Sequence, residues 1–228
     1  GLRDAPEELT LPRDPVNPNT TAWNRLRYGA LAPLYDALLA PLQAAGFRAA
    51  RARAFKLMGP EPGRRLLIVG AGTGLDLPHV PEGVEVIATD LSKAMVARIR
   101  TRADALGLSV EARVMDGEAL ELPDASVDHV TLHLILAVLP DAEACAREVA
   151  RVLKPGGTAS IFDKFVPEGQ EPSLLRRLLN LPANLLATDL TRRLGPILEA
   201  GGLKLRHREA ALGGLFTVAL AERPGPQR

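Results

Sequence analysis

Short apolar runs alternate with stretches of helical periodicity between residues 66 and 162. The runs are Leu66–Val69, Glu85–Thr89, Ser109–Val114, His129–Leu132 and Thr158–Phe162. Short, mostly apolar runs bounded by turn residues are typical of strands that are buried on both faces. Strand and helix therefore alternate, which predicts an α/β fold with a mostly parallel, doubly wound sheet.

Residues that favour helix ends mark the boundaries of two helices. Ser92 is a suitable N-cap for a helix over Lys93–Leu106, and Asp141 for one over Ala142–Leu153. The Lys-Pro-Gly-Gly segment at 154–157 should end the second helix and turn the chain into the fifth strand.

The C-terminal part of the chain has a different pattern. Two strand-like runs, Leu203–Arg208 and Leu215–Ala221, are separated by a short loop that contains Gly213-Gly214. A spacing this short predicts an antiparallel hairpin that closes one edge of the sheet.

Length and proline content suggest how the chain is organised. A chain of 228 residues suits one compact domain. Residues 1–21 are rich in proline and poor in apolar periodicity, so we expect a mobile N-terminal arm. Residues 22–58 are predicted to form N-terminal helices, and residues 59–222 the main domain.

The overall composition excludes several classes of protein. The formal net charge of +1 gives no reason to expect a nucleic-acid partner. A single cysteine, Cys145, excludes an intramolecular disulfide framework, and no spacing of Cys and His resembles a metal site. We expect a cytoplasmic protein without a membrane-spanning segment, with Cys145 as a small buried residue.

The balanced charge conceals a segregation along the chain. Residues 23–56 contain six basic residues and one acidic residue, and residues 172–208 contain seven basic and two acidic residues. Residues 76–148 contain fourteen acidic and six basic residues. Either the two basic segments share one face, or all three segments are solvated helix surfaces.

A glycine-rich turn follows the first predicted strand. Glycines at 70, 72 and 74 let the chain turn sharply and approach a ligand closely. The dinucleotide fingerprint places its third glycine one residue later, where this chain has Leu75. Asp90 ends the second predicted strand, where a carboxylate can accept hydrogen bonds from both hydroxyls of a ribose.

A third signal follows the third predicted strand, at Met115-Asp116-Gly117-Glu118. Ligands of open α/β sheets bind at the carboxyl ends of the strands. Asp116 is therefore a candidate acceptor for an adenine amine. The alternative is a carboxylate that caps a helix or a turn.

Four motifs together resemble the class I S-adenosylmethionine-dependent methyltransferases. They are residues 67–74 (LIVGAGTG), 88–92 (ATDLS), 116–128 (DGEALELPDASVD) and 151–157 (RVLKPGG). The resemblance covers roughly residues 60–221. It implies a three-layer, Rossmann-like sheet of seven strands whose last strand is antiparallel, and S-adenosyl-L-methionine as the cofactor.

The resemblance also implies a set of cofactor-binding residues. Carried over by position, these are Gly70, Ala71, Gly72, Gly74, Asp90, Leu91, Asp116, Gly117 and Glu118. Members of the family commonly have an acidic residue where this chain has Ile68. That departure removes an anchor for the amino group of the methionine part.

Two groups within the family resemble the chain in further segments. Bacterial phosphatidylethanolamine N-methyltransferases have a Tyr-Asp pair like Tyr35-Asp36 and stretches like Gly74–Pro78 and Val130–Asp141. Ubiquinone and menaquinone C-methyltransferases share the Tyr-Asp pair and the motif at 116–128. N-methylation of a phosphatidylethanolamine-type lipid is our first hypothesis. C-methylation of a quinone-like or other small molecule, or a non-catalytic cofactor-binding module, is the alternative.

Four side chains are further candidates for the site. His133, just beyond the fourth apolar run, is a candidate general base, or else a cofactor contact or a packed histidine. Asp163, followed by Lys164, is another candidate or else half of a surface ion pair. Tyr28 and Tyr35 share a helical face and either close over the cofactor or pack in the core.

An apolar helical face in the second basic segment suggests how the acceptor is reached. Leu174, Leu175, Leu178 and Leu179 lie on one side of a predicted helix that also carries Arg176 and Arg177. Such a helix suits an anionic membrane surface, which implies peripheral membrane contact and a lipid acceptor. The alternative is an ordinary lid over a pocket for a soluble small molecule.

We predict that the protein sediments with anionic vesicles, and less so at high salt because ions screen its basic residues. Arg176→Glu combined with Arg177→Glu should reduce this binding and leave the affinity for S-adenosylhomocysteine unchanged. A failure to bind anionic vesicles at low salt would contradict the membrane contact and favour a soluble acceptor.

Overall fold

The computed structural model describes residue 40, residues 46–166, residue 189 and residues 191–225. The strands are β1 (Arg65–Val69), β2 (Glu85–Asp90), β3 (Val110–Val114), β4 (Val127–His133), β5 (Leu153–Asp163), β6 (Lys204–Ala211) and β7 (Phe216–Glu222). The helices are α1 (Arg48–Met58), α2 (Lys93–Leu106), α3 (Ala142–Val152) and α4 (Leu194–Ala200), with short 3-10 turns at Leu77–His79 and Leu212–Gly214.

All seven strands form one sheet, in the order β3-β2-β1-β4-β5-β7-β6. Neighbouring strands from β3 to β5 are parallel, whereas β7 is antiparallel to both β5 and β6. The predicted fold class is confirmed, including the antiparallel C-terminal hairpin. Helices cover both faces of the sheet, which gives three layers.

Apolar side chains are buried on both faces of the central strands. On one face, Leu67 and Val69 of β1 belong to the same core cluster as Val149 of α3 and Leu198 of α4. On the other face, Leu66 and Ile68 pack in a cluster with Phe55 of α1 and Ile99 of α2, which also contains Val96, Ala88 and Met58. Burial on both faces explains why the strand sequences are continuously apolar.

The two predicted N-caps are confirmed by their hydrogen bonds. The Ser92 hydroxyl accepts a hydrogen bond from the backbone N–H of Met95 at 3.4 Å, and an Asp141 carboxylate oxygen accepts one from Ala144 at 2.8 Å. These bonds satisfy N–H groups that have no partner within the helix. Both α2 and α3 therefore begin where the sequence places them.

The start of β5 differs from the prediction. The strand begins at Leu153 instead of Thr158, because the Lys-Pro-Gly-Gly segment continues along the sheet with an irregular register. The Gly156 N–H donates to the carbonyl of Arg223, and the Arg223 N–H donates to that of Gly157, both at 2.9 Å. A Cβ on Gly157 would lie 2.8 Å from the carbonyl oxygen of Asp128, so the close approach of two backbones requires glycine there.

Cys145 is fully buried in α3, as predicted, and burial raises the pKa of its thiol. The predicted arm at 1–21, most of the predicted helices at 22–58 and the leucine-rich segment around 174–179 lie outside the described residues. Within the described part of the chain, no helix has the length and apolar character needed to cross a membrane.

Candidate functional site

A cavity opens at the carboxyl edge of the sheet, where β1 and β4 lie side by side. It encloses about 700 Å³ of empty space, open solvent at its mouth included. Its lining comes from the last residues of β1 and β2 and from the residues that follow β1, β2, β3 and β4: Val69, Gly70, Gly72, Asp90, Leu91, Met95, Met115, Asp116, Gly117, Leu134, Ile135, Val138, Leu139 and Pro140. The chain leaves β1 toward β2 on one side and β4 leads to β5 on the other, so the cavity lies at the point where the strand order reverses. Ligands of open α/β sheets bind at such a point.

The glycine turn after β1 forms the floor of this cavity. Gly70 and Gly72 have positive φ angles of 63° and 57°, which residues with a Cβ atom rarely adopt. A Cβ on Gly70 would lie 2.4 Å from the Cδ1 atom of Ile135. Glycine at position 70 therefore allows the residues after β4 to pack directly on the turn.

The carboxylate of Asp90 joins the ends of β1 and β2. One oxygen accepts a hydrogen bond from the Gly72 N–H and the other from the Ser92 N–H, both at 2.9 Å. A carboxylate has about four acceptor positions, so Asp90 retains acceptor capacity toward the cavity. Burial raises the pKa of Asp90 above its ordinary value, although the two backbone donors partly offset the rise.

Asp116 and Gly117, which the sequence analysis expects at an adenine, both line the cavity. Asp116 also accepts a hydrogen bond from the Glu118 N–H at 3.0 Å, so it stabilises its own turn as the alternative expected. A Cβ on Gly117 would lie 2.9 Å from the Cγ1 atom of Val69. The turn thus packs closely against the end of β1.

Three other predicted cofactor residues are not among the residues that line the cavity, and their contact with the cofactor stays a prediction. Ala71 is buried, and its N–H donates to the carbonyl of Thr89 at 2.8 Å. Gly74 is buried with a φ of 81°. A carboxylate oxygen of Glu118 accepts a hydrogen bond from the Asp141 N–H at 2.7 Å. These residues support the turns around the cavity in this arrangement.

His133 is fully buried at the end of β4, outside the cavity lining. Its Nδ1 lies 2.7 Å from the Asp76 carboxylate and its Nε2 lies 3.1 Å from the Ser160 hydroxyl. An ionised carboxylate only accepts hydrogen bonds, so Nδ1 carries the proton in the first contact. Since both nitrogens are engaged, this geometry favours the packed histidine over the predicted general base.

Asp76 and Arg51 form a buried charged pair that the sequence analysis did not identify. Arg51 of α1 lies 3.1 Å from the same Asp76 oxygen that contacts His133, and both side chains are 6% exposed. Burial raises the pKa of Asp76, but His133 and Arg51 more than offset this, and the pKa lies below its ordinary value. The only sequence signal was a charged residue between Leu75 and Leu77.

Asp163 is fully buried, which excludes the surface ion pair considered above. Its carboxylate accepts hydrogen bonds from the N–H groups of Ala137 at 2.9 Å and Lys164 at 2.8 Å. Burial raises the pKa of Asp163. The carboxylate lies behind the residues that follow β4, whose cavity-lining side chains the sequence analysis also did not identify.

Tyr28 and Tyr35 lie outside the described residues, as do Arg176 and Arg177. Their predicted places over the cofactor and at the entrance stay predictions.

The polar side chains of the lining are hydrogen-bond acceptors. Among the described residues that line the cavity, two are carboxylates and none is basic. A carboxylate accepts hydrogen bonds from ribose hydroxyls and from an adenine amine, and it attracts a sulfonium cation. Asp90, Asp116 and Gly117, the residues predicted at the ribose and the adenine of S-adenosylmethionine, all line this one cavity. Fold and site define a Rossmann-like domain for a nucleoside cofactor.

Comparison with known proteins narrows this class. A family model described as a methyltransferase domain matches residues 67–161. The demethylmenaquinone methyltransferase of Thermus thermophilus is 33% identical over 220 residues, which cover 86% of this chain and all of that protein. The chain belongs to the class I S-adenosylmethionine-dependent methyltransferases, and its cofactor is S-adenosyl-L-methionine.

Two further proteins are similar to this chain over different shares of its length. The phosphatidylethanolamine N-methyltransferase of Cereibacter sphaeroides is 39% identical over 105 residues, which cover 45% of this chain and about half (52%) of that protein. The solved structure of the [4+2]-cyclase SpnF superposes with a TM-score of 0.74 at 19% identity, covering 90% of this chain and 97% of that one. At this identity the second similarity shows the fold alone.

We predict that Asp90→Ala weakens the binding of S-adenosylhomocysteine by about 1–3 kcal/mol, because hydrogen bonds from the ribose to the carboxylate are lost. Titration calorimetry measures the change. Glu85→Ala is the matched control, because Glu85 lies exposed at the other end of β2, where it pairs with Arg65. Equal affinity in wild type and Asp90→Ala would show that the ribose lies elsewhere.

The Asp90 carboxylate should also make the binding of S-adenosylhomocysteine depend on pH. A ribose hydroxyl donates to the ionised form, so acidification through the pKa of Asp90 should weaken binding. Because burial raises this pKa, the loss should begin at a higher pH than an exposed aspartate would give. Calorimetry across pH on the wild type and on Asp90→Asn tests this, and the variant should lose this part of the pH dependence.

Proposed function

We propose that this chain transfers a methyl group from S-adenosyl-L-methionine to a lipophilic small molecule. The observation that carries the proposal is the cavity at the strand-order reversal, with the Asp90 carboxylate on its wall. Two relatives with lipophilic acceptors in their names support the acceptor class.

The chemistry requires little covalent participation by the protein. S-adenosyl-L-methionine, when bound, supplies an electrophilic methyl group on a sulfonium. Alignment of the accepting atom with that methyl group provides much of the rate in such a displacement. The contribution of the chain is therefore to hold the cofactor in one orientation and to exclude water.

Three parts of the lining would provide that orientation. Asp90 accepts hydrogen bonds from the ribose, and Leu91 and Met95 give the adenine an apolar surface. Gly70 and Gly72 allow the methionine part to approach the backbone of the turn. Ile68, which is 1% exposed in the core, provides no carboxylate for the amino group, so other groups must hold it.

Two acceptors have separate support. Phosphatidylethanolamine-type lipid is supported by the relative of higher identity, but that match spans half of the relative. A demethylated quinol is supported by the match that extends over a whole relative, including the parts outside the cofactor-binding core. An amine acceptor must lose a proton, and a quinol carbon requires a deprotonated hydroxyl.

A non-catalytic module that binds the cofactor without turnover is the competing class. Its support is the apolar Ile68 and the fact that a protein named as a cyclase has the same fold.

The test is to incubate the purified protein with methyl-labelled cofactor and three kinds of vesicle. One contains phosphatidylethanolamine, one contains a demethylated menaquinol in phosphatidylcholine, and one contains phosphatidylcholine alone. We expect label in the lipid extract of one of the first two and none in the third. Chromatography of the extract then identifies the methylated acceptor.

Asp90→Ala should lower this activity at subsaturating cofactor, and Glu85→Ala should not. If wild type binds S-adenosylhomocysteine but labels neither acceptor, the lipophilic acceptor is wrong. Label that appears only with a water-soluble fraction of a cell extract would indicate a soluble acceptor instead. Binding without any labelled product would favour the non-catalytic module.

A further inference from the structure

One wall of the cofactor cavity consists of a loop without regular secondary structure. Residues 134–140 follow β4, and five of them line the cavity: Leu134, Ile135, Val138, Leu139 and Pro140. We refer to residues 134–140 as the wall loop. Its first residue, Leu134, has a φ of 60°, a conformation that non-glycine residues rarely adopt. Such a loop needs contacts from its surroundings to keep one conformation.

Three of these contacts come from one guanidinium behind the wall loop. Arg192 donates to the backbone carbonyls of Leu136 and Leu139, both at 2.5 Å, and of Pro140 at 3.4 Å. The Arg192 side chain is only 15% exposed. Three carbonyl oxygens from different positions of the loop thus converge on one planar group.

Neighbouring groups fix the same segment from both directions. The Ala137 N–H donates to the buried Asp163 carboxylate, and the Ala137 carbonyl accepts from the Asp189 N–H at 2.7 Å. Asp189 also lies 3.5 Å from Arg192, and the Arg192 carbonyl accepts from the Val166 N–H at 2.9 Å. Arg192 is therefore held in place while it holds the loop.

The wall loop in turn contacts the glycine turn. The side chain of Ile135 occupies the space where a Cβ of Gly70 would lie. A displacement of the loop would thus change both one wall and the floor of the cavity.

From this geometry we propose that Arg192 is a positioning residue for the cofactor, which it serves by holding the wall loop in the conformation that completes the cavity. Arg192 does not line the cavity, so its effect on binding passes through the loop. Without the guanidinium, a smaller fraction of the folded protein has the loop in place. The apparent affinity for the cofactor falls in proportion to that fraction.

The shape of the guanidinium matters more than its charge. A lysine ammonium is a point charge on a flexible chain and lacks the planar fork of donors that reaches several carbonyls at once. Arg192→Lys should therefore weaken binding almost as much as Arg192→Ala. The matched control is Arg206→Lys, because Arg206 makes a two-bond contact with Glu222 on the distant hairpin.

The experiment measures S-adenosylhomocysteine affinity by calorimetry and thermal unfolding without ligand, for wild type and the three variants. We expect both Arg192 variants to bind roughly five- to fifty-fold more weakly, because buried carbonyls lose charged donors. Arg206→Lys should bind like wild type. Millimolar guanidinium ion should restore part of the affinity of Arg192→Ala, and methylammonium should not.

Each outcome decides the proposal without reference to the methyl acceptor. Unchanged affinity in Arg192→Lys would overturn it, even if Arg192→Ala failed to fold. If both Arg192 variants lost affinity together with thermal stability, and guanidinium did not restore binding, Arg192 would stabilise the fold as a whole. That result would also overturn the proposal. A loss of affinity in the lysine variant, with rescue of the alanine variant, supports it.

Discussion

The hydrogen bonds that Asp90 accepts determine how the ends of β1 and β2 are arranged. Both of its carboxylate oxygens are used by backbone N–H groups, one from the glycine turn and one from the start of α2. The same carboxylate lines the cavity. A single side chain therefore sets the relative position of two loops and offers the acceptor that a ribose requires. The rest of the cavity depends on this junction, because the glycine turn after β1 forms its floor.

Buried polar groups serve the same purpose on the other side of β1. Asp76 connects Arg51 of α1 with His133 at the end of β4, and Asp163 and Arg192 hold the residues that follow. Burying a charge is costly unless it is paired or hydrogen-bonded. In each case the partner is a neighbouring loop, helix or strand end. The cost of burial is offset by contacts that fix the carboxyl edge of the sheet.

Local sequence predicted the framework of the fold well. The apolar runs identified strands because burial on both faces leaves few polar positions, and Ser92 and Asp141 marked helix starts because capping is a contact over three residues. The sequence placed Asp90 at the cavity because its position depends only on where β2 ends. In contrast, the start of β5 was misplaced because its pairing with β7 is set by residues far along the chain.

The contacts at the candidate site that the sequence did not reveal have one physical cause. His133 pairs with Asp76, 57 positions away, and Arg192 contacts Leu136, 56 positions away. No periodicity or spacing records such partners, so the sequence left His133 open between a general base and a packed histidine and did not single out Arg192. The acceptor is not encoded in the cofactor-binding motifs either, since these motifs describe one half of the site.

A crystal structure of the protein with S-adenosylhomocysteine tests the central claim most directly. The account predicts the ligand in the cavity between β1 and β4, with its ribose hydroxyls within hydrogen-bonding distance of the Asp90 carboxylate. Its adenine should lie against Leu91, with its polar edge toward Asp116. A ligand bound in another cavity, or in this one with its ribose away from Asp90, would contradict the account.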